Sequence, residues 1–263
     1  MPLSSTRFPL DLQQTSYSYL ERPNEVLLSL LGRYVLSARP DARILDVGCG
    51  AGANARAIRG RHPRTHLVGV EPNEHAANLA REVFDNLHHG DAASYLAKAK
   101  GDSFDAIILS DVLEHVPDPV LFLRELVNAP ALRTAAWVIS VPNYGVWYNR
   151  LRTLAGSFDY AWSGLYDRTH LRFYTRRTIR ELLRYVGLQV QGDSCTPSLV
   201  QSMAPALRKL FDKNVDQGEH LSLGESKLFQ VYSRFVEPTE ARVCQAWPEL
   251  LGFQVVTVAR LAG

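Results

Sequence analysis

The segment ILDVGCGAGANA at 44–55 constrains this chain more than any other. An apolar run leads into Asp46, Gly48, Gly50 and Gly52 follow at two-residue spacing, and a helix-forming stretch begins at 53. Glycines in such a loop permit a tight turn and let the backbone approach a ligand, whose polar end then meets the amides at the helix start. The following sequence keeps the same rhythm. Strands are expected at 43–47, 66–70, 86–90, 104–109 and 136–141, with helices at 53–60, 73–84, 92–98 and 119–128. Asp118 followed by Pro119 supplies a cap and first turn for the last of these. Short apolar strands alternating with amphipathic helices predict an α/β fold, a parallel sheet covered on both faces.

Outside that region the pattern changes. Pro23 at a first turn, then Val26, Leu27, Leu30, Leu31, Tyr34 and Val35, predict an amphipathic helix within a cap over 1–40. The loop-rich stretch 143–174 is dense in aromatic residues. Thr175 or Thr178 then caps a helix whose apolar face is Ile179, Leu182, Leu183 and Val186, with Gly187 ending it. A sixth strand is expected at 188–195, helices and turns over 196–250, and a closing strand at 253–261. The simplest organisation is one domain over 1–263, with a core at 41–142 and lid insertions at 143–174 and 196–250.

Composition narrows the class. Lys and Arg total 29 against 27 acidic residues, a net charge of +2, which argues against a dedicated nucleic-acid binder. No run approaches the roughly 18 apolar residues of a membrane span. Cys49, Cys195 and Cys244 have no paired spacing, and the opening MPLSSTRFPLDL lacks an apolar core, so reduced thiols and a cytoplasmic setting are expected. Leu228, Phe229, Val231, Tyr232, Phe235 and Trp247 suit either a lid core or a dimer face, leaving monomer and homodimer both open.

The loop alone admits two cofactor classes. Gly48, Gly50 and Ala53 satisfy the relaxed dinucleotide fingerprint, so an NAD-dependent oxidoreductase is one reading. Asp46 stands two residues before the first glycine, where dehydrogenases carry an apolar residue. Glu71 ends the second strand, where a carboxylate can accept both ribose hydroxyls, and Asp91 ends the third, where an acid can accept from an adenine amino group.

The ordered set ILDVGCGAG, GVEPN, GDA, FDAIILSDVLEHVPDP and VPN resembles the class I S-adenosylmethionine-dependent methyltransferases. The likeness, over about 40–195, is greatest to small-molecule enzymes of the ubiquinone-biosynthesis O-methyltransferase kind and their glycan and natural-product relatives. It implies a Rossmann-like seven-stranded sheet in the order 3-2-1-4-5-7-6, last strand antiparallel, flanked by helices. It also implies S-adenosyl-L-methionine as cofactor, with Gly48, Gly50 and Gly52 along its methionine part and Glu71 on its ribose. Pro72, Asn73, Asp91 and Ala92 would surround the adenine, and Ser110, Asp111 and Val112 would pass under the sulfonium. Asp46 would anchor the loop, Cys49 fill space in it, His115 pack around it, and Arg22 and Tyr17 meet the cofactor carboxylate.

A sulfonium is already an excellent leaving group, so such a protein must align an acceptor, exclude water and remove a proton. His115 and His170 are the candidate bases. No metal is expected: Asp111, Glu114 and His115 cluster in sequence, but adjacent Glu and His point apart on a helix. The acceptor is expected to be a small molecule bound by Tyr144, Tyr166, Arg168, His170 and Arg172. Eight arginines against three acids between 150 and 184 suggest an anionic one, though Arg176, Arg180 and Arg184 read most simply as a solvated helix face. YDRTHLRFYT resembles a segment of glycan-cluster relatives, which favours a saccharide hydroxyl. N-methylation and a non-catalytic cofactor binder are the other readings, and an oxidoreductase fold would lack the antiparallel closing strand.

Overall fold

The alternation of apolar strands and helices builds the sheet in the computed structural model, which describes residues 22–99, 101–161, 164–197 and 237–262. Tyr17 and most of the second lid insertion, including Leu228, Phe229, Val231, Tyr232 and Phe235, lie outside the described residues. The chain enters through α1 (Glu25–Leu31), which widens into a π turn at Gly32–Leu36. Then come β1 (Arg43–Val47), α2 (Ala53–Arg61), β2 (His66–Glu71), α3 (Glu74–Ala80), β3 (Asn86–His89) and α4 (Ala92–Lys98). They are followed by β4 (Ala106–Ser110), a 3-10 turn (Leu113–His115), α5 (Pro119–Asn128) and β5 (Ala136–Pro142). The chain continues through α6 (Trp147–Leu154), α7 (Arg176–Tyr185), β6 (Leu188–Pro197), α8 (Glu237–Ala246), α9 (Pro248–Leu251) and β7 (Gly252–Leu261).

The strands lie in the order β3-β2-β1-β4-β5-β7-β6. β1 to β5 are parallel, and β7 runs antiparallel between β5 and β6. That closing strand is the feature an oxidoreductase reading would lack. Asp46 stands level with Gly69 of β2 and Ile108 of β4, so β1 is central and the chain reverses direction across the sheet there. In open α/β sheets ligands bind at that switch point.

The period of two divides the core. Ile44, Ala106, Ile108 and Val138 face α1 and α2, while Leu45, Ile107, Leu109 and Trp137 face α5 and α7. A third, small cluster of Val146, Leu165 and Tyr166 gives the stretch 143–174, the expected lid, a core of its own.

Several boundaries differ from the sequence expectation. Asn24, not Pro23, starts α1, because its Oδ1 accepts from the Leu27 amide at 3.0 Å and puts the proline outside the helix. α3 stops at Ala80, where the Val83 amide turns back onto the Ala80 carbonyl. Both threonines cap α7: the Thr175 hydroxyl accepts from the Thr178 amide, and the Thr178 hydroxyl accepts from the Thr175 amide. The arginine face of that helix is not simply solvated. Arg176 binds Asp193 of β6 at 2.8 Å and Glu249 at 2.6 Å, and Arg180 reaches Asp193 at 3.8 Å.

Candidate active site

Gly48, Gly50 and Gly52 adopt φ of 68°, 54° and 85°, a region that other residues enter only at a cost. The Gly48 amide bonds the Val70 carbonyl at 2.8 Å. A Cβ on Gly48 would stand 2.8 Å from the Val112 side chain, so the segment after β4 lies directly against the loop. Glu71 fastens the other side, its two oxygens accepting from the Gly50 and Asn73 amides at 2.8 Å each. Each oxygen keeps a further lone pair for a ribose hydroxyl. Burial pushes the Glu71 carboxyl up, and the two amide bonds and His89 oppose that shift.

Asp46 was expected to anchor the loop. Instead it is 3 % exposed and its Oδ1 has no hydrogen-bond partner. Burial, reinforced by the Glu71 charge, raises its pKa to about 8. A buried carboxyl with one unpartnered oxygen beside a glycine cradle fits a ligand that brings its own donors and positive charge. The residues therefore suit S-adenosylmethionine, whose amine and sulfonium are both cationic. Cys49 is part-buried, and burial pushes its thiol up, as befits a space-filling residue.

Around the far end of the site, Asn73 caps α3 and Asp91 caps α4, accepting from the Ala76 and Ser94 amides at 3.0 and 2.7 Å. The Ser94 amide bond holds the Asp91 carboxyl below its usual range. The Pro72 carbonyl meets His89 Nε2 at 3.2 Å, while the Ala92 side chain is buried.

At the floor, Asp111 is the non-glycine residue with positive φ, 54°, among the described residues. Its two oxygens accept from Gln254 Nε2 at 2.7 and 2.8 Å, and its amide reaches Ser140 Oγ at 3.2 Å. Ser110 Oγ lies 3.2 Å from the same Ser140 hydroxyl. Gln254 also accepts from Asn24 Nδ2 at 3.2 Å, and the Asn24 amide donates to Asn54 Oδ1 at 2.8 Å. A chain of polar contacts thus runs from α2 through the start of α1 and β7 to the floor. Arg22, two residues before Asn24, is exposed at that start.

The lid brings the two candidate bases together. Its backbone docks on the 3-10 turn, the Leu171 and Arg172 amides donating to the Glu114 carbonyl at 2.7 and 3.0 Å. The rings of His115 and His170 meet edge to face with centroids 4.9 Å apart. His115 Nδ1 faces the Thr169 carbonyl and hydroxyl at 3.2 and 3.1 Å, and the Thr169 hydroxyl donates to Asp167 at 2.7 Å. His170 Nδ1 faces the Leu165 carbonyl at 3.2 Å. Burial lowers both imidazoles, which stay neutral near pH 7. Glu114 and His115 do not diverge as on an α-helix. The 3-10 turn lasts three residues, and one ligand atom each from Glu114, His115 and His170 fall within 4.8 Å of one another.

The lid's other expected contacts are mostly structural. Tyr166 is buried and its hydroxyl donates to Asn149 Oδ1. Tyr144 packs against Phe173 at 4.9 Å and Tyr166 at 6.1 Å. Arg172 donates to the Pro117 and Leu171 carbonyls and braces the lid, and Arg168 is half-buried beside Asp167. The sequence does not single out Gln254, and it offers Asn143 only as the last residue of the VPN segment. Asn143 ties β5 to the start of β7, its Nδ2 donating to the Gly252 carbonyl at 2.8 Å.

A glycine-loop switch point, an antiparallel seventh strand and an acid ending β2 define the class I S-adenosylmethionine-dependent methyltransferase fold. The chain belongs to that family: its methyltransferase-domain model matches residues 19–191. The chain is 37 % identical over 90 residues to the ubiquinone biosynthesis O-methyltransferase of Hahella chejuensis, covering 32 % of this chain and 36 % of that protein. It is 31 % identical over 192 residues to the bifunctional methionine biosynthesis protein MetXA/MetW of Rhodopirellula baltica, covering 65 % of this chain and 29 % of that one. These matches span about a third of the length of the curated relatives. Among solved structures, a SAM-dependent methyltransferase from Archaeoglobus fulgidus superposes with a TM-score of 0.52 at 20 % identity, covering 89 % of this chain and 93 % of that one. The cyclase SpnF shares the fold at a TM-score of 0.52 and 17 % identity, covering 89 % of this chain and 80 % of that one.

Proposed function

We propose that the protein transfers a methyl group from S-adenosylmethionine to a hydroxyl oxygen of a small biosynthetic intermediate, a saccharide-related one in the first instance. The observation that carries this reading is the meeting of His115 and His170 at the carboxyl end of β4, three residues beyond the valine that packs on Gly48. When bound, the cofactor supplies a methyl group on a sulfonium that needs no further activation. The glycine loop and Glu71 hold it, and the lid keeps water out.

A carbonyl only accepts, so each Nδ1 bears the hydrogen and each Nε2 keeps its lone pair. An Nε2 can therefore take the acceptor proton as the oxygen bonds the methyl carbon and the carbon–sulfur bond breaks. The charge formed on His115 is favoured by Asp167. The aromatic wall of Tyr144, Phe158, Tyr166 and Phe173 suits the apolar face of a ring-shaped acceptor. Arg172 braces the lid and Arg176 binds Asp193 and Glu249, so Arg176 is taken up by the fold, and an anionic group on the acceptor is read only from the expected pair Arg168 and Arg172.

The test is release of S-adenosylhomocysteine from a panel of sugars, phenols and amines. A methyl ether that disappears in His115→Ala and His170→Ala supports the reading. A methylated amine as the sole product, or cofactor binding with no product on any acceptor, overturns it. Unchanged kcat and KM in both Arg168→Ala and Arg172→Ala would remove the anionic group.

A further inference from the structure

Three side chains from two separate stretches converge beside the floor of the site. Glu114 and His115 belong to the turn after β4, and His170 comes from the lid, with one ligand atom of each within 4.8 Å of the other two. The Glu114 carboxyl is 1 % exposed and neither of its oxygens has a hydrogen-bond partner. Native proteins seldom leave a buried carboxyl in that condition unless something else occupies its lone pairs. Both imidazoles direct Nδ1 at a backbone carbonyl, Thr169 for His115 and Leu165 for His170, at 3.2 Å each. That is the outer contact by which a metal-ligating histidine fixes its tautomer and presents Nε2. Asp111, the neighbouring acid, is not one of the three, and its oxygens lie against Gln254 Nε2 at 2.7 and 2.8 Å.

We propose that Glu114, His115 and His170 form a binding site for a first-row divalent transition metal ion. Two imidazoles and one carboxylate suit zinc, cobalt or manganese, whereas magnesium prefers oxygen ligands and water. Three protein ligands leave positions open for oxygen atoms of an acceptor, and an ion there lowers the pKa of a bound hydroxyl. This use of the ion rests on the methyl-transfer reading above and has the two imidazoles act through the metal instead of as free bases. Binding of the ion does not rest on it. Because one ligand comes from the lid and two from the core, the ion also ties the lid down.

The test uses the full chain without a histidine tag, stripped with a chelator and titrated with Co²⁺, followed by visible absorption and then by Zn²⁺ displacement in a calorimeter. One equivalent is expected to bind with the absorption bands of an imidazole-ligated ion. His170→Ala should weaken binding at least about 100-fold, and Thr169→Val, which alters an outer contact, about 10-fold. Glu114→Gln should act like His170→Ala, and His62→Gln, a change at the half-buried residue that ends α2, should bind as wild type. Binding of S-adenosylhomocysteine and far-ultraviolet circular dichroism check that each variant is folded. Absence of saturable binding up to millimolar Co²⁺ overturns the proposal, as does saturable binding that His170→Ala leaves unchanged. The titration needs no acceptor, so failure to find one leaves its result standing. Full turnover in the presence of chelator would remove the metal from catalysis while leaving the methyl-transfer reading intact.

Discussion

Asp46→Asn should flatten the dependence of stability on pH. In the folded protein the carboxyl is buried at the centre of the sheet with a pKa of about 8, raised first by burial and then by Glu71. In the unfolded chain it titrates near ~3.9. Between those values the folded state holds one proton more than the unfolded state, so stability is fully present below the unfolded pKa and is lost as pH rises through about 8. The slope is roughly 1.4 kcal/mol per pH unit. From pH 5 to pH 7 that amounts to about 2.7 kcal/mol, or on the order of 5–11 °C in Tm for a chain of this size. An asparagine fills the same space and carries no titratable proton. Its amide can lower stability, but equally at every pH, so only the difference in slope is diagnostic. Thermal and urea melts of the cofactor-free protein at pH 5, 6, 7 and 8 measure it. Parallel curves for wild type and variant would falsify the argument, because they would mean that Asp46 is ionised and compensated in the folded protein.

The same carboxyl should release its proton when the cationic cofactor arrives, so the calorimetric enthalpy of S-adenosylmethionine binding should depend on the buffer near pH 7, and that dependence should shrink in Asp46→Asn. Gly48→Ala forces a side chain against Val112 at a φ of 68°, and affinity for S-adenosylhomocysteine should fall by about tenfold or more. Gln254→Leu removes both bonds to the Asp111 carboxylate and should cost about 1.5–3 kcal/mol in a urea melt, with the Asp111 carboxyl rising further. If an imidazole is the base, kcat/KM should fall only below pH 6.5, since burial lowers both histidines from that value, and His115→Ala should reduce kcat by roughly 10²–10⁴-fold.

Much of the molecule was legible in the sequence because its causes are local. β1 and its glycine turn, the alternation through β5 and the caps on α5 and α7 are each dictated by neighbours in the chain. The place of β7 followed from the family likeness, and its pairing with β5 and β6 bears it out. What the sequence concealed depends on distant partners. Gln254 is a polar residue in an apolar strand until its partners, Asp111 and Asn24, are brought beside it. Arg176 and Arg180 repeat like a wet helix face, and only the approach of β6 gives them Asp193. Glu114 and His115 would diverge on an α-helix, but the chain makes a single 3-10 turn there. His170 was noticed for its chemistry, yet its meeting with His115 needs the lid to fold back across the sheet.

The antiparallel strand threaded between β5 and β6 also governs how the protein comes into being. While the chain is being synthesised, the edges of β5 and β6 stand open until Gly252–Leu261 has emerged, and each presents unpaired backbone groups that another chain could pair with. The floor of the site waits on the same event, since Asp111 is fastened by a residue 143 positions later and Asn24 by one 230 positions later. A nascent chain lacking that strand would therefore lack a finished floor to the candidate site, and chaperone capture or aggregation should be most frequent in the interval just before β7 is released.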